Sequence, residues 1–312
     1  MVCDIYISVI VGGDMRPYVI VSPDFTTVCG GIKVLHRLCH ILNSKGYDAY
    51  ITGRRASPQY SGYCNTKHVS ELSTEERIWL QHNGIVVYPE IVGGNPLCFD
   101  TVVHWELSVA HANSDHWLVF TYLENKCDKN VKIENNLFIW HVEECFKLPD
   151  VDARGKTCYV VHKGAHLPRI PETNPPCIDV WNKSPDNIAK IFQESKIFYS
   201  YDDMTALTIE ARLCGCPVKI IGYTGTTYES LRACPFSCYG QAAPEEDIDI
   251  DKLKSEIPLF RDNYLKVIER VDVEVDKFID ITQNTHNEYF ACPEFNQAPQ
   301  AWLPRSLFPN RS

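Results

Sequence analysis

Short β-rich runs and helix-periodic segments alternate along most of this chain, and that alternation restricts the fold more than any other feature. Residues 17–23 make a β-rich run bounded by prolines, the pair Gly30-Gly31 follows, and residues 32–45 repeat apolar side chains at helical spacing. Ile32, Leu35, Leu38, Cys39 and Leu42 share one face of that helix, and Lys45-Gly46 supplies a basic last turn and a stop. Further β runs are expected at residues 48–52, 85–89, 101–105, 117–122 and 137–140. Strand, crossover helix and strand in this order build a parallel sheet covered by helices. Residues 5–11 are also β-rich, and the pattern leaves open whether they join the sheet or form an extra edge.

A second series starts near Lys156. It reads as strand (157–162), Pro-rich loop (168–176), strand (178–181), helix (187–194), strand (197–201), helix (205–213), strand (218–222) and helix (226–233). Two such series imply an α/β protein with two doubly wound, Rossmann-like domains facing a cleft, divided as 1–155 and 156–312 with a linker near 150–156. Residues 241–280 hold 12 acidic and 6 basic side chains and read as one or two amphipathic helices. The tail after Phe290, with Pro293, Pro299, Pro304 and Pro309, excludes regular helix.

The chain has 312 residues, 45% of them apolar, which is core enough for two ordinary domains and excludes a disordered or coiled-coil protein. No run approaches the roughly 20 apolar residues of a membrane span. Met1-Val2-Cys3-Asp4 does not open a secretory signal, so a cytoplasmic location is expected. The net charge of −10 argues against affinity built on a nucleic-acid backbone, although a local basic cleft remains compatible with it. The 14 cysteines sit largely in apolar runs and read as free thiols; no zinc-finger spacing accompanies them, and no metal ligand set is expected. His36/His40 and His111/His116 have helical spacing without acidic or cysteine partners, and Asp150-Val-Asp152 falls in the expected linker.

The first chemically informative segment is Ser22-Pro-Asp-Phe-Thr-Thr-Val-Cys-Gly-Gly31-Ile-Lys. Glycines before a helix let backbone approach an anion, which then meets the unpaired N–H groups of the first turn. A tight strand-to-helix connection needs glycine too, so the pair reads equally as structural. No Gly-x-Gly-x-x-Gly or Walker lysine is present. The second segment is Lys196-Ile-Phe-Tyr-Ser-Tyr-Asp-Asp-Met-Thr-Ala-Leu-Thr-Ile-Glu210-Ala-Arg-Leu-Cys-Gly-Cys-Pro-Val218. It describes a strand ending at Asp202, a loop, helix amides from Thr205, and a glutamate placed to accept hydrogen bonds from vicinal hydroxyls.

This second segment resembles the nucleotide-sugar motif in the C-terminal domain of GT-B glycosyltransferases, particularly the family 4-like group, in which two acidic residues separated by seven flank the donor. Here they are Asp202 and Glu210, with Asp where many relatives carry Glu. Gly30-Gly31-Ile-Lys-Val-Leu-His-Arg-Leu-Cys-His-Ile-Leu-Asn resembles the N-terminal glycine loop and helix of these enzymes, Val87-Tyr-Pro-Glu-Ile-Val-Gly-Gly-Asn-Pro-Leu97 a segment of some bacterial members, and Tyr159-Val-Val-His-Lys163-Gly164 the strand and basic turn that open their donor domain.

The resemblance implies a transferase that moves a hexosyl or pentosyl unit from a UDP- or GDP-linked sugar to a hydroxyl acceptor, retaining and with no obligatory cofactor or metal. Lys163 and Arg169 would neutralise the diphosphate, the Thr205, Ala206 and Leu207 amides would meet it, Glu210 would hold the ribose, Asp202 would face the sugar, and Gly30 and Gly31 would approach the phosphates. A solvated turn lysine and an exposed helix carboxylate are the plain alternatives for Lys163 and Glu210. Catalytic candidates from the N-terminal domain are Asp24 and His141, with His104 and Glu143 behind them; His141 follows the expected 137–140 strand and reads equally as a packed histidine. The acceptor is a glycan by default or, alternatively, a hydroxymethylated base in DNA, as for some phage enzymes. A non-catalytic sugar-nucleotide-binding module is the alternative from another class.

Overall fold

The computed structural model describes residues 15–107, 118–121, 135–151, 154–233 and 238–285. The chain divides into two units, one of residues up to Thr26, Gly31–Ile139 and Val273 onward, the other of Thr27–Gly30 and Trp140–Asp272. The expected β run at 5–11, the Pro-rich tail, and His111 and His116 lie outside the described residues.

Unit 1 is built on β1 (Tyr18–Ile20), α1 (Gly30–Ser44), β2 (Ala49–Ile51), β3 (Lys67–His68), α2 (Thr74–Asn83), β4 (Ile85–Pro89), β5 (Thr101–Glu106) and β6 (Leu118–Thr121). The strands form one sheet in the order β3-β2-β1-β4-β5-β6, every pair parallel. Tyr18, Val19, Ile20 and Val21 have no exposed surface, because a parallel strand at the middle of such a sheet is covered on both faces. Gly30 and Gly31 form the first turn of α1 rather than a loop ahead of it. The start of α2 is fixed by a capping box, with the Glu76 amide donating to Ser73 Oγ (3.2 Å) and the Ser73 amide to Glu76 Oε2 (2.6 Å).

Residues 137–140 do not form the expected strand. Only Asn136 makes a bridge, to Thr121, and the next residues are irregular although Leu137, Phe138, Ile139 and Trp140 are buried. Backbone pairing stops after the Leu137 amide, which donates to the Thr121 carbonyl (2.8 Å), and side chains take over: Trp105 Nε1 donates to the Leu137 carbonyl (3.1 Å) and the Phe138 amide donates to Glu274 (2.6 Å).

His36 on α1 is fully buried, edge-on to Phe25, with Nε2 3.2 Å from the Pro23 carbonyl. Burial lowers its pKa to about 4, against a smaller upward pull from that carbonyl and from Asp24. The folded state therefore binds fewer protons than the unfolded one between about pH 6.5 and 4, and stability falls as pH is lowered through that window, by up to about 3 kcal/mol. Replacing His36 with Phe is expected to flatten this part of the stability profile, as read from urea midpoints across pH. An unchanged profile would place the acid sensitivity elsewhere.

Unit 2 follows with β7 (Lys156–Val160), β8 (Ile178–Asp179), α3 (Pro185–Glu194), β9 (Ser195–Ser200), α4 (Leu207–Leu213), β10 (Val218–Ile220), α5 (Tyr228–Ala233), β11 (Gln241–Ala242) and α6 (Ile250–Glu269). Its sheet runs β11-β10-β9-β7-β8, again entirely parallel. Two buried cations knit its far side. Arg212 on α4 donates to the Thr208 and Tyr239 carbonyls (both 2.9 Å) and lies 4.1 Å over the Phe260 ring; Lys219 on β10 donates to the Ala243 carbonyl (2.7 Å) and to two more in the following turn.

The last helix, α7 (Val271–Asn284), carries the chain back to unit 1. Phe278 packs against Tyr18 and Phe120, and Thr282 Oγ1 lies 2.8 Å from the Tyr18 hydroxyl, so α7 covers β1 and β6. The sequence pattern groups this helix with the second domain; its apolar face, Val275, Phe278 and Ile279, is instead buried in unit 1. No helix among the described residues is long and apolar enough to cross a membrane.

Candidate functional site

In unit 2 the chain leaves β7, adds β8 on one side, and returns to place β9 on the other. The β7/β9 junction is therefore a topological switch point, where the loops at the carboxyl ends of two adjacent strands run in opposite directions and leave a crevice. The loop after β7 contributes His162, Lys163 and Gly164 as one turn of 3-10 helix, and the loop after β9 contributes Asp202 and Asp203.

These residues are interlocked. Asp202 has no exposed surface; its Oδ2 accepts from His162 Nδ1 at 2.6 Å and its Oδ1 from the Met204 amide at 3.0 Å. Burial alone would raise the Asp202 carboxyl, but the His162 hydrogen bond, the Lys163 charge and the Met204 amide outweigh it, so its pKa is lowered and it is ionised at neutral pH. His162 stacks on Trp181, which follows β8, with ring centroids 4.3 Å apart, and its backbone has φ of 39°. A left-handed non-glycine residue whose side chain is pinned on two sides is held there by its surroundings. Asp203, also buried, accepts from the Thr226 amide at 3.1 Å and from the Thr224 and Thr226 hydroxyls, tying the loop after β10 to the same edge. Gly164 has backbone in close approach: a Cβ there would stand 2.0 Å from the Tyr201 carbonyl oxygen.

Around this core the other expected donor residues take different positions. Lys163 is exposed, near enough to Asp202 to lower its pKa. Arg169 lies with its guanidinium 4.3 Å over the Tyr159 ring and 5.0 Å over the Tyr201 ring, a cation held on the surface of β7 and β9. Thr205, Ala206 and Leu207 lead into α4, where the Leu207 amide is 3.4 Å from Thr205 Oγ1 and the Ala206 carbonyl accepts from the Ile209 and Glu210 amides. Glu210 is 4% exposed, well inside α4 and beside Cys145 and Cys214, whose thiols burial, helped by its charge, pushes up.

Unit 1 has its own switch point between β1 and β4. Ser22, Pro23 and Asp24 follow β1, and Glu90, which accepts from the Leu107 amide at 3.0 Å, follows β4. Asp24 is exposed and braces the next loop, accepting from the Arg54 amide at 2.9 Å and pairing with its guanidinium at 3.4 Å. Neither Gly30 nor Gly31 is demanded by packing, since a Cβ would meet nothing nearer than 4.0 Å and 3.7 Å respectively. A Cβ at either position would make ordinary van der Waals contact, with Trp140 at Gly30 and with Leu107 at Gly31. His104 is buried on β5 beside Tyr88, and burial lowers its pKa. His141 and Glu143 lie in the irregular segment after residue 140, half-buried, so His141 does not end a strand.

His162, Trp181 and Asp203 are not among the site residues the sequence points to. His162 is adjacent to Lys163 in the segment Val-Val-His-Lys-Gly, and Asp203 doubles Asp202, so the signals are present but carry no meaning until the strands are placed side by side. Among the described residues no group of three or more His, Cys, Asp and Glu is arranged to hold a metal, and no disulfide joins the ten described cysteines.

No family model matches the chain, and no curated protein does. Among solved structures it is similar to WaaG, a glycosyltransferase involved in lipopolysaccharide biosynthesis (11% identity, 86% of this chain and 100% of that chain, TM-score 0.48). It is also similar to the spinosyn rhamnosyltransferase SpnG complexed with thymidine diphosphate (11%, 86% and 100%, 0.44), and to an alpha-glucosyltransferase in complex with UDP and a 13-mer DNA containing an HMU base (11%, 88% and 96%, 0.38).

Proposed function

We propose that this chain is a nucleotide-sugar-dependent glycosyltransferase of GT-B type whose donor site is the β7/β9 switch point of unit 2. The observation that carries the reading is the meeting there of a cation, Lys163, with an ionised, buried Asp202 and its partner His162, at the position where an open α/β sheet offers a crevice. A departing nucleoside diphosphate gathers negative charge, and Lys163 is placed to stabilise it. Glu210, inside α4, is assigned to the ribose. Arg169 acts through Tyr159 and Tyr201, shaping the β7/β9 surface. The transfer is metal-independent because side-chain and amide charge meet the diphosphate, and it retains anomeric configuration in keeping with the family 4-like motif. The donor is UDP- or GDP-linked and the acceptor a hydroxyl.

The test is a panel of nucleotide sugars followed by calorimetry for binding and by chromatography for released nucleotide, with and without EDTA. Selective binding with slow donor hydrolysis that survives the chelator is the expected result, and it names the donor. Absence of binding at millimolar concentration would remove the transferase reading; activity abolished by EDTA would remove its metal independence. Once an acceptor is found, proton NMR of the product gives the anomeric configuration.

A further inference from the structure

The motif resemblance sets Asp202 against the donor sugar, yet the side chain is wholly buried and each carboxylate oxygen already accepts a hydrogen bond from within unit 2. The residue standing outside it is His162, whose side chain is one-third exposed at 33% against 0% for Asp202. Resting on the transferase reading above, we infer that His162 is the group that touches the bound nucleotide sugar, and that Asp202 is a positioning residue acting through it.

The geometry defines what His162 presents. An ionised carboxylate is an acceptor only, so the nitrogen 2.6 Å from Asp202 Oδ2 carries a proton, and Nδ1 is the donor. The Trp181 ring covers one face of the imidazole, and the left-handed backbone at φ 39° sets the direction of the side chain. Nε2 makes no hydrogen bond among the described residues. With the ring rotation fixed by Asp202 and Trp181, Nε2 is a single pre-oriented polar atom at the crevice. In the neutral ring it is an acceptor, and in the charged ring a donor. A hydroxyl bonds to it in both states, whereas a phosphate oxygen bonds only to the charged one. A hydroxyl of the transferred sugar is therefore its partner, which makes His162 a determinant of donor recognition separate from the diphosphate contact at Lys163.

Three substitutions separate this role from mere support of Asp202. The amide of a glutamine reaches about as far as Nε2, while that of an asparagine reaches only about as far as Nδ1. His162→Gln is therefore expected to keep part of the preference for nucleotide sugar over the bare nucleoside diphosphate. His162→Asn and His162→Ala are expected to lose it, with affinity for the sugar nucleotide down about tenfold or more and affinity for the nucleoside diphosphate within about twofold of wild type. Asp202→Asn is expected to weaken sugar-nucleotide binding in the wild-type background and to add nothing in the His162→Ala background. Rescue by Asn equal to or better than rescue by Gln would reduce His162 to a support for Asp202 and overturn the inference. An equal cost of Asp202→Asn in both backgrounds would overturn it by returning Asp202 to the sugar. Wild-type protein that binds the nucleotide sugar while His162→Ala binds it equally well sinks only this inference; wild-type protein that binds none sinks the transferase reading and this inference with it. Thermal melts of each variant identify any loss caused by unfolding, and the Gln/Asn comparison stands without His162→Ala.

Discussion

Lys163→Ala is expected to lower the transfer rate by about 10²-fold or more while leaving the thermal midpoint of the protein unchanged. The lysine is exposed in the turn after β7, so its removal opens no cavity, and the buried Asp202 keeps its hydrogen bonds from His162 and the Met204 amide. Its energetic weight falls on the ligand. A nucleoside diphosphate in the ground state already carries charge on its phosphates, but departure from the sugar adds charge at the bridging oxygen, and a cation fixed nearby stabilises that late charge most. The loss should therefore appear mainly in kcat, with a smaller rise in KM for the donor. Lys163→Arg keeps the charge but spreads it over a planar guanidinium, and it should recover part of the rate. Removal of the ammonium also withdraws one of the influences that hold the Asp202 carboxyl below the usual range, so the acid limb of the rate profile should move to higher pH in Lys163→Ala. Steady-state rates over pH 4–9 check all three expectations. A Lys163→Ala enzyme running within about twofold of wild type would take the diphosphate away from the β7 turn.

The parallel architecture is legible in the sequence because it is written in burial. A strand covered on both faces must be a continuous apolar run, and residues 18–21 and 85–88, with no exposed surface, could hardly be anything else. Where only two residues pair, as in β3 and β11, no such run exists, and those strands emerge only once their neighbours are in place; β8 is also two residues long, at the start of the run expected over 178–181. The opposite error arises at 137–140, where an apolar run is buried but its backbone pairing ends at the Leu137 amide, and Trp105 and Glu274 bond the next groups from their side chains. The unforeseen return of α7 has the same origin: an amphipathic helix declares that it will cover something, and its apolar face is silent about which sheet.

At the site, Lys163, Asp202 and Glu210 can be picked out because they sit in short contiguous motifs. The His162–Asp202 contact spans 40 positions in sequence and exists only because β7 and β9 are neighbours despite β8 intervening in the chain. Sequence can say that a carboxylate ends β9; it cannot say that the carboxylate is closed off and that an imidazole is left facing outward. Arg169 shows the same limit, since its cationic side chain lies on two tyrosine rings whose convergence is a product of the sheet.

Gly164→Ala is expected to cost on the order of 4 kcal/mol of stability and to lower the thermal midpoint by about 10 °C. The added Cβ would fall 2.0 Å from the Tyr201 carbonyl oxygen, 2.5 Å from Tyr201 Cβ and 2.6 Å from its carbonyl carbon. None of these atoms belongs to the movable end of a side chain. Tyr201 is tied to β7 through its amide, which donates to the Val160 carbonyl at 3.0 Å, and its hydroxyl accepts from the Ile170 amide at 2.8 Å. Relief therefore requires β7 and β9 to separate at their carboxyl ends, the junction that brings His162 to Asp202. The variant should lose nucleotide-sugar binding even at temperatures where it remains folded, because the two loops can no longer keep their spacing. Gly155→Ala is the matched control: a Cβ there meets nothing within 4 Å, in the same unit and just before β7, and its midpoint should change by no more than about 2 °C. Calorimetric melts of the two variants, with binding measured below the lower midpoint, give the comparison. If Gly164→Ala melts with Gly155→Ala and binds as wild type, the close packing of these loops is not what holds the site together.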